Sequence, residues 1–245
     1  MELLEFSLKS IRPACDYINV VYSEESWYGK KSPVEIRPAL DDLVRRGLVD
    51  EVLEYKVNVK RQPTDNESRK RNMGMKAALR AGCDYLMSMD ADEFYMAEEL
   101  NALKSEMLAK KITHSYVRCL TYKNATELLM PVNGMNSLYV QTFCKINRFS
   151  LFGGSRRKQV AKVDPTRRIS NRWQRQKHWV FADMWMHHYF VYRKDFISKC
   201  QNSSAGRASA AAAAKSHAAL DCVPTIKQEN RFKLPIFDCP FHKFS

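Results

Sequence analysis

Apolar residues at the start of the chain recur first at the spacing of a helix and then at that of a strand. Leu4, Leu8 and Ile11 fall on one helical face, and Pro13 ends that pattern. The β-branched and aromatic run "DYINVVYS" that follows predicts a strand. A second helix is predicted by an apolar stripe that Gly47 closes, and a second strand by the alternation in "EVLEYKVNV".

The third helix–strand pair ends on negative charge. The stretch "TDNE" at 64–67 fits a capping box with Thr64 as N-cap, and Gly82 closes the predicted helix. The strand "YLMSM" is almost continuously apolar, as expected for a strand covered on both faces. It runs directly into Asp90, Asp92 and Glu93. The repeated alternation predicts an α/β fold with a doubly wound, mostly parallel sheet.

The second half of the chain has a less regular pattern. A helix through Leu100, Leu103 and Met107 and the strand "HSYVRCLTY" come first. We then expect a strand or hairpin in "SLYVQTFCKINRF", a strand in "MWMHHYFVY" and a helix in "RKDFISKCQ". The segment 205–220 is rich in alanine, and we expect the tail after Pro224 to pack across the domain surface.

Length and composition favour a soluble protein, or the soluble part of a larger one, with one large domain or two small ones. Hydrophobic residues make up 45% of the 245 residues. No apolar run approaches the roughly 20 residues that span a bilayer, and no N-terminal stretch has the pattern of a signal peptide. The seven cysteines are scattered and form no CxxC pair, which favours reduced thiols in a cytosolic protein.

The net charge of +13 is concentrated late in the chain. Nine Lys and Arg residues, among them Arg167, Arg168 and Arg172, lie in the basic block 156–177. The block could neutralise a phosphorylated small molecule, contact an anionic membrane surface or bind nucleic acid. It could equally be a solvated loop.

The acids after the third strand suit a metal site. Ligands of open α/β sheets bind at the carboxyl ends of the strands. In an extended segment Asp90 and Asp92 would point the same way, with only Ala91 between them. Paired carboxylates suit a divalent cation that also binds substrate phosphates. The plainer alternative is that these acids cap the helix that begins near Met96.

Three stretches resemble one enzyme family. "ESRKRNMGMKAALRAGCDYLMSMDADEF" resembles the centre of GT-A glycosyltransferases of the family 2 type, where an "RN-x-G" helix leads through a "G-x-D-Y" turn to a DxD motif. "HHYFVYRKDF" resembles their later histidine-bearing strand, and "SLKSIRPACDYINVVYS" their first helix and second strand. The resemblance covers most of residues 1–110 and a patch near 183–204.

The resemblance implies one GT-A domain over residues 1–245. Residues 1–112 would bind a nucleotide sugar, and residues 113–245 would face the acceptor. Asp90 would face the ribose and the metal, and Asp92 would be a direct ligand of Mn²⁺ or Mg²⁺.

The same resemblance implies roles for four more residues. Arg71 and Asn72 match the "RN" positions near the nucleotide. Tyr22 and Ser23 fall where the second strand meets the base. The family often has an aspartate at that place, so the identity of the base stays open.

Two further site residues come from the histidine strand. Of two adjacent histidines only one can face the site, and the register against Arg193 favours His188 as a metal ligand. Imidazole suits Mn²⁺ better than Mg²⁺. An inverting enzyme needs a general base, for which Asp183 is the candidate and Asp164 and Glu93 are rivals. A retaining enzyme needs none.

The implied activity is metal-dependent transfer of a sugar from a UDP- or GDP-sugar to a hydroxyl of a glycan, lipid-linked or protein acceptor. We expect a cytoplasmic location with peripheral membrane contact as an option, or the Golgi lumen if an anchor was cut away. We do not expect a nucleic-acid partner. The alternatives are a nucleotidyltransferase of similar fold, or a non-catalytic nucleotide- or nucleic-acid-binding relative.

One departure from the family concerns its first strand. Family members begin with a strand before the first helix, whereas the helical pattern here starts almost at residue 1. The resemblance therefore implies that the chain is truncated, that its start is misassigned, or that it is a degraded relative.

Overall fold

A computed structural model describes residues 3–129, 139–153, 167–171, 178–189, 191–192 and 225–234. The helices are α1 (Leu4–Ile11), α2 (Arg37–Arg45), α3 (Pro63–Arg80) and α4 (Ala97–Ala109), and a short 3₁₀ turn (Arg12–Ala14) follows α1. The strands are β1 (Asn19–Tyr22), β2 (Glu51–Glu54), β3 (Tyr85–Met87), β4 (Glu93–Phe94), β5 (His114–Thr121), β6 (Glu127–Leu129), β7 (Tyr139–Lys145), β8 (Ser150–Phe152), β9 (Ile169–Asn171), β10 (Trp179–His188) and β11 (Thr225–Lys227).

The main sheet is mixed. Its five strands run in the order β3-β7-β5-β10-β4. Only β5 and β10 pair in parallel, and the other three neighbouring pairs are antiparallel. The α/β class is therefore confirmed, but the expectation of a mostly parallel sheet is wrong for this sheet. Strands β5 and β7 enter it with no α-helix described between them, and direct returns of this kind give antiparallel neighbours.

Strands β1 and β2 form a separate parallel pair, in the register Asn19 with Glu51 and Tyr22 with Glu54. The predicted strand "EVLEYKVNV" therefore ends at Glu54, five residues early. The buried amide of Asn66 explains this end. Its Oδ1 accepts hydrogen bonds from the Tyr55 hydroxyl (2.8 Å) and the Asn58 amide (3.1 Å), so the chain turns onto α3.

The start of α3 differs from the predicted capping box. Helix α3 begins at Pro63, its N-cap is Gln62, and no side chain caps it. Thr64 lies inside the first turn. Proline suits this position because its missing N–H would be unpaired there in any case. The other end is as predicted, since Gly82 adopts a φ of 82° directly after the helix.

Helices cover both faces of the main sheet. Phe143 of β7 packs in the largest core cluster with residues of α1 and α4, including Ile11 and Met107. The next residue, Cys144, packs on the opposite face with Met75 of α3. Adjacent strand residues point to opposite faces, so α3 and the α1–α4 pair lie on opposite sides of the sheet.

The segment 225–234 packs on the domain as predicted for the tail. β11 pairs antiparallel with β6, and Phe232 and Leu234 join an aromatic cluster that contains Phe94 and Tyr189. Most of the basic block, Asp164, the predicted helix "RKDFISKCQ" and the alanine-rich segment lie outside the described residues. Within the described ranges, no helix combines the length and apolarity that a membrane crossing needs.

Candidate functional site

The acids after β3 lie in a tight turn rather than an extended segment. The Glu93 amide donates to the Asp90 carbonyl (3.1 Å), and the Asp90 amide donates to Glu93 Oε2 (3.0 Å). The extended-chain reason for pairing Asp90 with Asp92 therefore does not hold. Asp90 keeps 48% of its side-chain surface exposed, whereas only 5% of the Asp92 side chain is exposed.

Asp90 is held between two guanidinium groups. One carboxylate oxygen lies 3.1 Å from Arg71 Nη2, and the other lies 2.6 Å from Arg167 Nη2. Arg71 is fixed in turn by Glu67 (2.8 Å), one helical turn earlier, and by the Ser88 hydroxyl (2.7 Å). Helix α3 thus places Arg71 at the carboxyl end of β3.

Arg167 is the residue of the basic block that reaches the site within the described part of the chain. It is buried and donates to both carboxylate oxygens of Glu93, with Nη1 2.8 Å from Oε2. Net charge alone suggested a role for the basic block, but no local sequence pattern distinguishes Arg167 from its eight basic neighbours. Its partners lie 74 and 77 residues away in sequence.

The two carboxyls that share Arg167 titrate in opposite directions. Partial desolvation disfavours the charge of the half-exposed Asp90 side chain, but Arg167 and Arg71 outweigh this effect and hold the pKa of Asp90 well below its usual range. Burial raises the pKa of Glu93 to about 7, against the opposing effect of Arg167. One guanidinium shared by two acids leaves the more buried acid closer to neutrality.

The adjacent histidines point to opposite sides of β10. His188 Nε2 lies 3.8 Å from Asp92 Oδ2, on the side of the site. His187 is buried, and its Nδ1 lies 2.8 Å from the Tyr122 hydroxyl. Burial lowers the pKa of His187 to about 4, so its imidazole is neutral near pH 7. The structure therefore places His188 beside Asp92 and His187 on the other side, and neighbours on a strand are expected to alternate in this way.

A cavity of about 960 Å³ opens beside Asp90, between β1 and β3. We call it the interstrand cleft. Its lining includes the predicted nucleotide-binding residues Tyr22, Ser23, Arg71 and Asp90. Lys70 and Trp27 also line it; sequence reasoning did not single them out, and the Lys70 ammonium lies 5.7 Å from the Trp27 ring centre.

Two predicted residues lie elsewhere. The Asn72 side chain accepts a hydrogen bond from the Phe152 amide (2.9 Å) and donates to its carbonyl (3.3 Å), so it holds β8 against α3. Asp183 is exposed in the irregular part of β10, five residues before His188. The regular run from Trp185 to His188 alone, at about 3.3 Å per residue, separates it from the histidine by roughly 10 Å.

The donor set around the turn fits a divalent cation. The ion-pair chain Glu67–Arg71–Asp90–Arg167–Glu93 contains three carboxyl groups and two guanidiniums, so its acidic groups outnumber its guanidiniums before Asp92 is counted. Carboxylate oxygens and imidazole are ligands of Mn²⁺. Among the described residues, no three His, Cys, Asp or Glu side chains are already arranged as a metal site.

Comparison with known proteins leaves this site to be judged on its geometry. The sequence matches no protein-family model and shows no significant similarity to any curated protein.

Proposed function

We propose that this chain is a metal-dependent GT-A glycosyltransferase that moves a sugar from a nucleotide sugar to an acceptor hydroxyl. The observation that carries the proposal is the meeting of Asp90, Asp92 and His188 at the edge where β3 and β10 end. The interstrand cleft opens at the same edge, which is where α/β folds bind their ligands.

The cleft supports a nucleotide diphosphate as the ligand. Lys70 and Arg71 line it next to Asp90, so two cationic side chains face the region where phosphates would lie. Trp27 and Tyr22 provide flat apolar surfaces for a base. Burial lowers the pKa of Lys70, and a bound phosphate would oppose this by favouring the charged ammonium.

Asp90, Asp92 and His188 are the residues that would hold Mn²⁺ or Mg²⁺. The bound ion would neutralise charge that develops on a diphosphate leaving group. Asp92 Oδ2 and His188 Nε2, at 3.8 Å, are too far apart for a hydrogen bond. They are close enough to contact one ion at about 2.1 Å each. Asp90 would have to loosen its contact with Arg167 to join them.

Binding of nucleotides tests the proposal. Calorimetric titration with UDP and then GDP, with and without Mn²⁺, is compared between the parent and Asp92→Asn. We expect one nucleotide to bind in a Mn²⁺-dependent manner, with affinity at least tenfold weaker in the variant, since even loss of a group that only orients a metal ligand typically costs about 10–100-fold.

The matched control is Asp41→Asn, which removes an exposed carboxylate paired with Arg37 on α2. It should bind the nucleotide as the parent does. Equal binding by the parent and Asp92→Asn, or binding that does not depend on Mn²⁺, would contradict the metal site. Pyrophosphate release from a nucleoside triphosphate would favour the nucleotidyltransferase alternative.

A further inference from the structure

Two neighbouring loops follow the carboxyl ends of β1 and β2. The first covers residues 23–36, and the second covers residues 55–62 and leads into α3. Because β1 and β2 pair in parallel, both loops leave the sheet at the same edge. The loops touch at Gly29, where an added Cβ would lie 3.1 Å from Val59 Cγ1. We call residues 29–34 and 56–61 together the loop surface.

Hydrogen bonds within each loop hold its tip in a tight turn. In the first loop the Ser26 amide donates to the Lys30 carbonyl (2.8 Å), and the Gly29 amide donates to the Ser26 carbonyl (2.9 Å). In the second loop the Arg61 amide donates to the Asn58 carbonyl (2.9 Å). Both tips are therefore fixed by local backbone contacts, which leave their side chains available to a partner.

The loop surface is strongly basic. Its two sequences, "GKKSPV" and "KVNVKR", contain five cationic residues and no acidic one. All five are exposed, and none belongs to the basic block 156–177: Lys30, Lys31, Lys56, Lys60 and Arg61. Within the described ranges, none of the five forms an ion pair. The nearest acids along the chain, Glu35 and Glu54, flank the surface and are outnumbered by these cations.

Exposed cations at the ends of helices are paired instead. Three of them have a carboxylate partner within one helical turn: Lys9 with Glu5 (2.7 Å), Arg45 with Asp42 (2.9 Å) and Lys110 with Glu106 (2.8 Å). Such pairs balance charge locally, whereas five cations on two adjacent loop tips produce a concentrated positive potential. The loop surface therefore suits an anionic partner.

Two valines extend into solvent on the same surface. Val34 keeps 68% of its surface exposed, and Val59 keeps 57%. Binding to an anionic bilayer combines attraction of cations to acidic headgroups with burial of apolar side chains among them. An anionic lipid surface thus uses both the cations and the valines, whereas a nucleic-acid backbone would use the cations alone. A second copy of the chain is disfavoured, because each copy carries a net charge of +13.

We propose that the loop surface docks this chain onto an anionic lipid bilayer, with its cations against the acidic headgroups and its valines inserted among them. Trp27 of the first loop also lines the interstrand cleft, so docking brings the mouth of the cleft to the bilayer surface. A lipid-linked acceptor would meet the nucleotide sugar there. That consequence rests on the proposed function, whereas the docking itself does not.

Cosedimentation of the whole chain with lipid vesicles tests the proposal. The vesicles consist of phosphatidylcholine alone or with about 30% phosphatidylserine, in about 0.1 M salt. One variant removes four charges from the loop surface: Lys30→Gln, Lys31→Gln, Lys60→Gln and Arg61→Gln. The matched control removes four exposed, ion-paired charges from the carboxyl ends of helices: Lys9→Gln, Arg45→Gln, Arg80→Gln and Lys110→Gln.

The parent should bind the anionic vesicles and leave the uncharged vesicles unbound. One Lys or Arg near an anionic surface contributes about fivefold in affinity, so the loop variant should bind more weakly by about 100-fold or more. The helix control should stay within about fivefold of the parent, because charges more than about 10 Å from the headgroups are largely screened. Equal weakening of the two variants, or a parent that does not bind anionic vesicles, would overturn the proposal.

A double variant, Val34→Ser with Val59→Ser, distinguishes a lipid surface from other polyanions. It should bind the anionic vesicles more weakly by about fivefold or more, and it should bind a short DNA duplex as the parent does. Unchanged vesicle affinity in this variant, or tighter binding of the parent to the duplex than to the vesicles, would assign the surface to a nucleic acid and overturn the proposal. Neither readout requires a nucleotide or Mn²⁺, so failure of the proposed glycosyltransferase function would leave this result interpretable.

Discussion

Arg167 and Glu93 form a bidentate ion pair that is almost completely shielded from water, at the turn that also carries Asp90 and Asp92. Removing one member of such a pair leaves a buried charge without its counterion.

Arg167→Leu should therefore lower the free energy of unfolding by about 3–5 kcal/mol at pH 8. Urea denaturation measures the change. Arg168→Leu, at the partly buried neighbouring position, is the control and should cost less than about 1 kcal/mol. At pH 5 the loss in Arg167→Leu should shrink, because Glu93 can then be neutral. Equal losses in both variants would show that the pair has no special energetic role.

Glu93 should give the stability of the protein a distinctive pH dependence. Its pKa rises from 4.5 in the unfolded chain to about 7 in the folded protein, mainly through burial. The folded state therefore binds more protons than the unfolded state between these values, and stability falls as pH rises through that window. Glu93→Gln should remove this loss, which is on the order of 3 kcal/mol. An unchanged pH profile in Glu93→Gln would show that folding does not raise the pKa of Glu93.

His187 should act in the opposite sense over almost the same window. Its pKa falls from 6.5 to about 4 in the folded protein, so the folded state binds fewer protons and stability falls as pH drops from 6.5 to 4. His187→Gln should abolish a loss of about 3 kcal/mol in acid. His188→Gln, at the next position, should keep the acid loss. If the loss of stability in acid disappears equally in both variants, the assignment to His187 is wrong.

Glu93 and His187 change the stability of the protein with pH in opposite directions, and together they shape the profile of the parent. In the parent, the contributions of Glu93 and His187 nearly cancel between pH 4.5 and 6.5. Each single variant should therefore show a steeper profile than the parent, with slopes of opposite sign. Unfolding curves collected at half-unit pH steps would resolve this difference.

Gly74 should resist the substitution that helices normally favour. A Cβ at this position would lie 2.8 Å from Asn19 Oδ1 and 3.1 Å from Val21 Cγ2. Asn19 cannot move away without losing its hydrogen bond to the Gly74 carbonyl (3.1 Å). Overpacking costs about 1–3 kcal/mol, which exceeds the helix-propensity gain of about 1 kcal/mol, so Gly74→Ala should destabilise the protein.

The control for Gly74→Ala is the same change in an Asn19→Ala background. Removal of the Asn19 side chain eliminates the shortest contact, so the cost of Gly74→Ala should fall by at least half. Chemical denaturation of the four proteins of this cycle gives the coupling. Independent effects of the two substitutions would show that Asn19 does not set the approach of α3 to β1.

The local elements could be read from the sequence where a periodic pattern met a clear stop. The helix through Leu100, Leu103 and Met107 buries those three side chains as predicted. The prediction that the second strand continues beyond Glu54 was wrong because the side-chain amide of Asn66 binds that segment, and Asn66 is a polar residue outside the hydrophobic pattern. The prediction of mostly parallel strands in the main sheet was wrong because the direction of strand pairing depends on connections across the whole chain.

In the site, too, local patterns could be predicted from the sequence and long-range contacts could not. Alternation along β10 predicted that His187 and His188 face opposite sides, and the register against Arg193 favoured His188 as the one at the site. The partnership of Arg167 with Asp90 and Glu93 was not readable, because it joins residues more than 70 positions apart and basic residues are common in that region. Which of nine similar cations enters the core depends on packing, which sequence periodicity does not encode.

The irregular pairing of β10 sets limits on how the length of this strand can change. The five residues Phe181 to Trp185 of β10 lie opposite only the three residues Tyr116 to Arg118 of β5, so β10 contains two extra residues in this bulge. One residue could be inserted or deleted within this bulge at a small cost in stability. The same insertion or deletion after Trp185 would exchange the environments of two neighbouring imidazoles. It would turn His187, which contacts Tyr122, away from the aromatic cluster. It would also place His188, which lies beside Asp92, in that cluster.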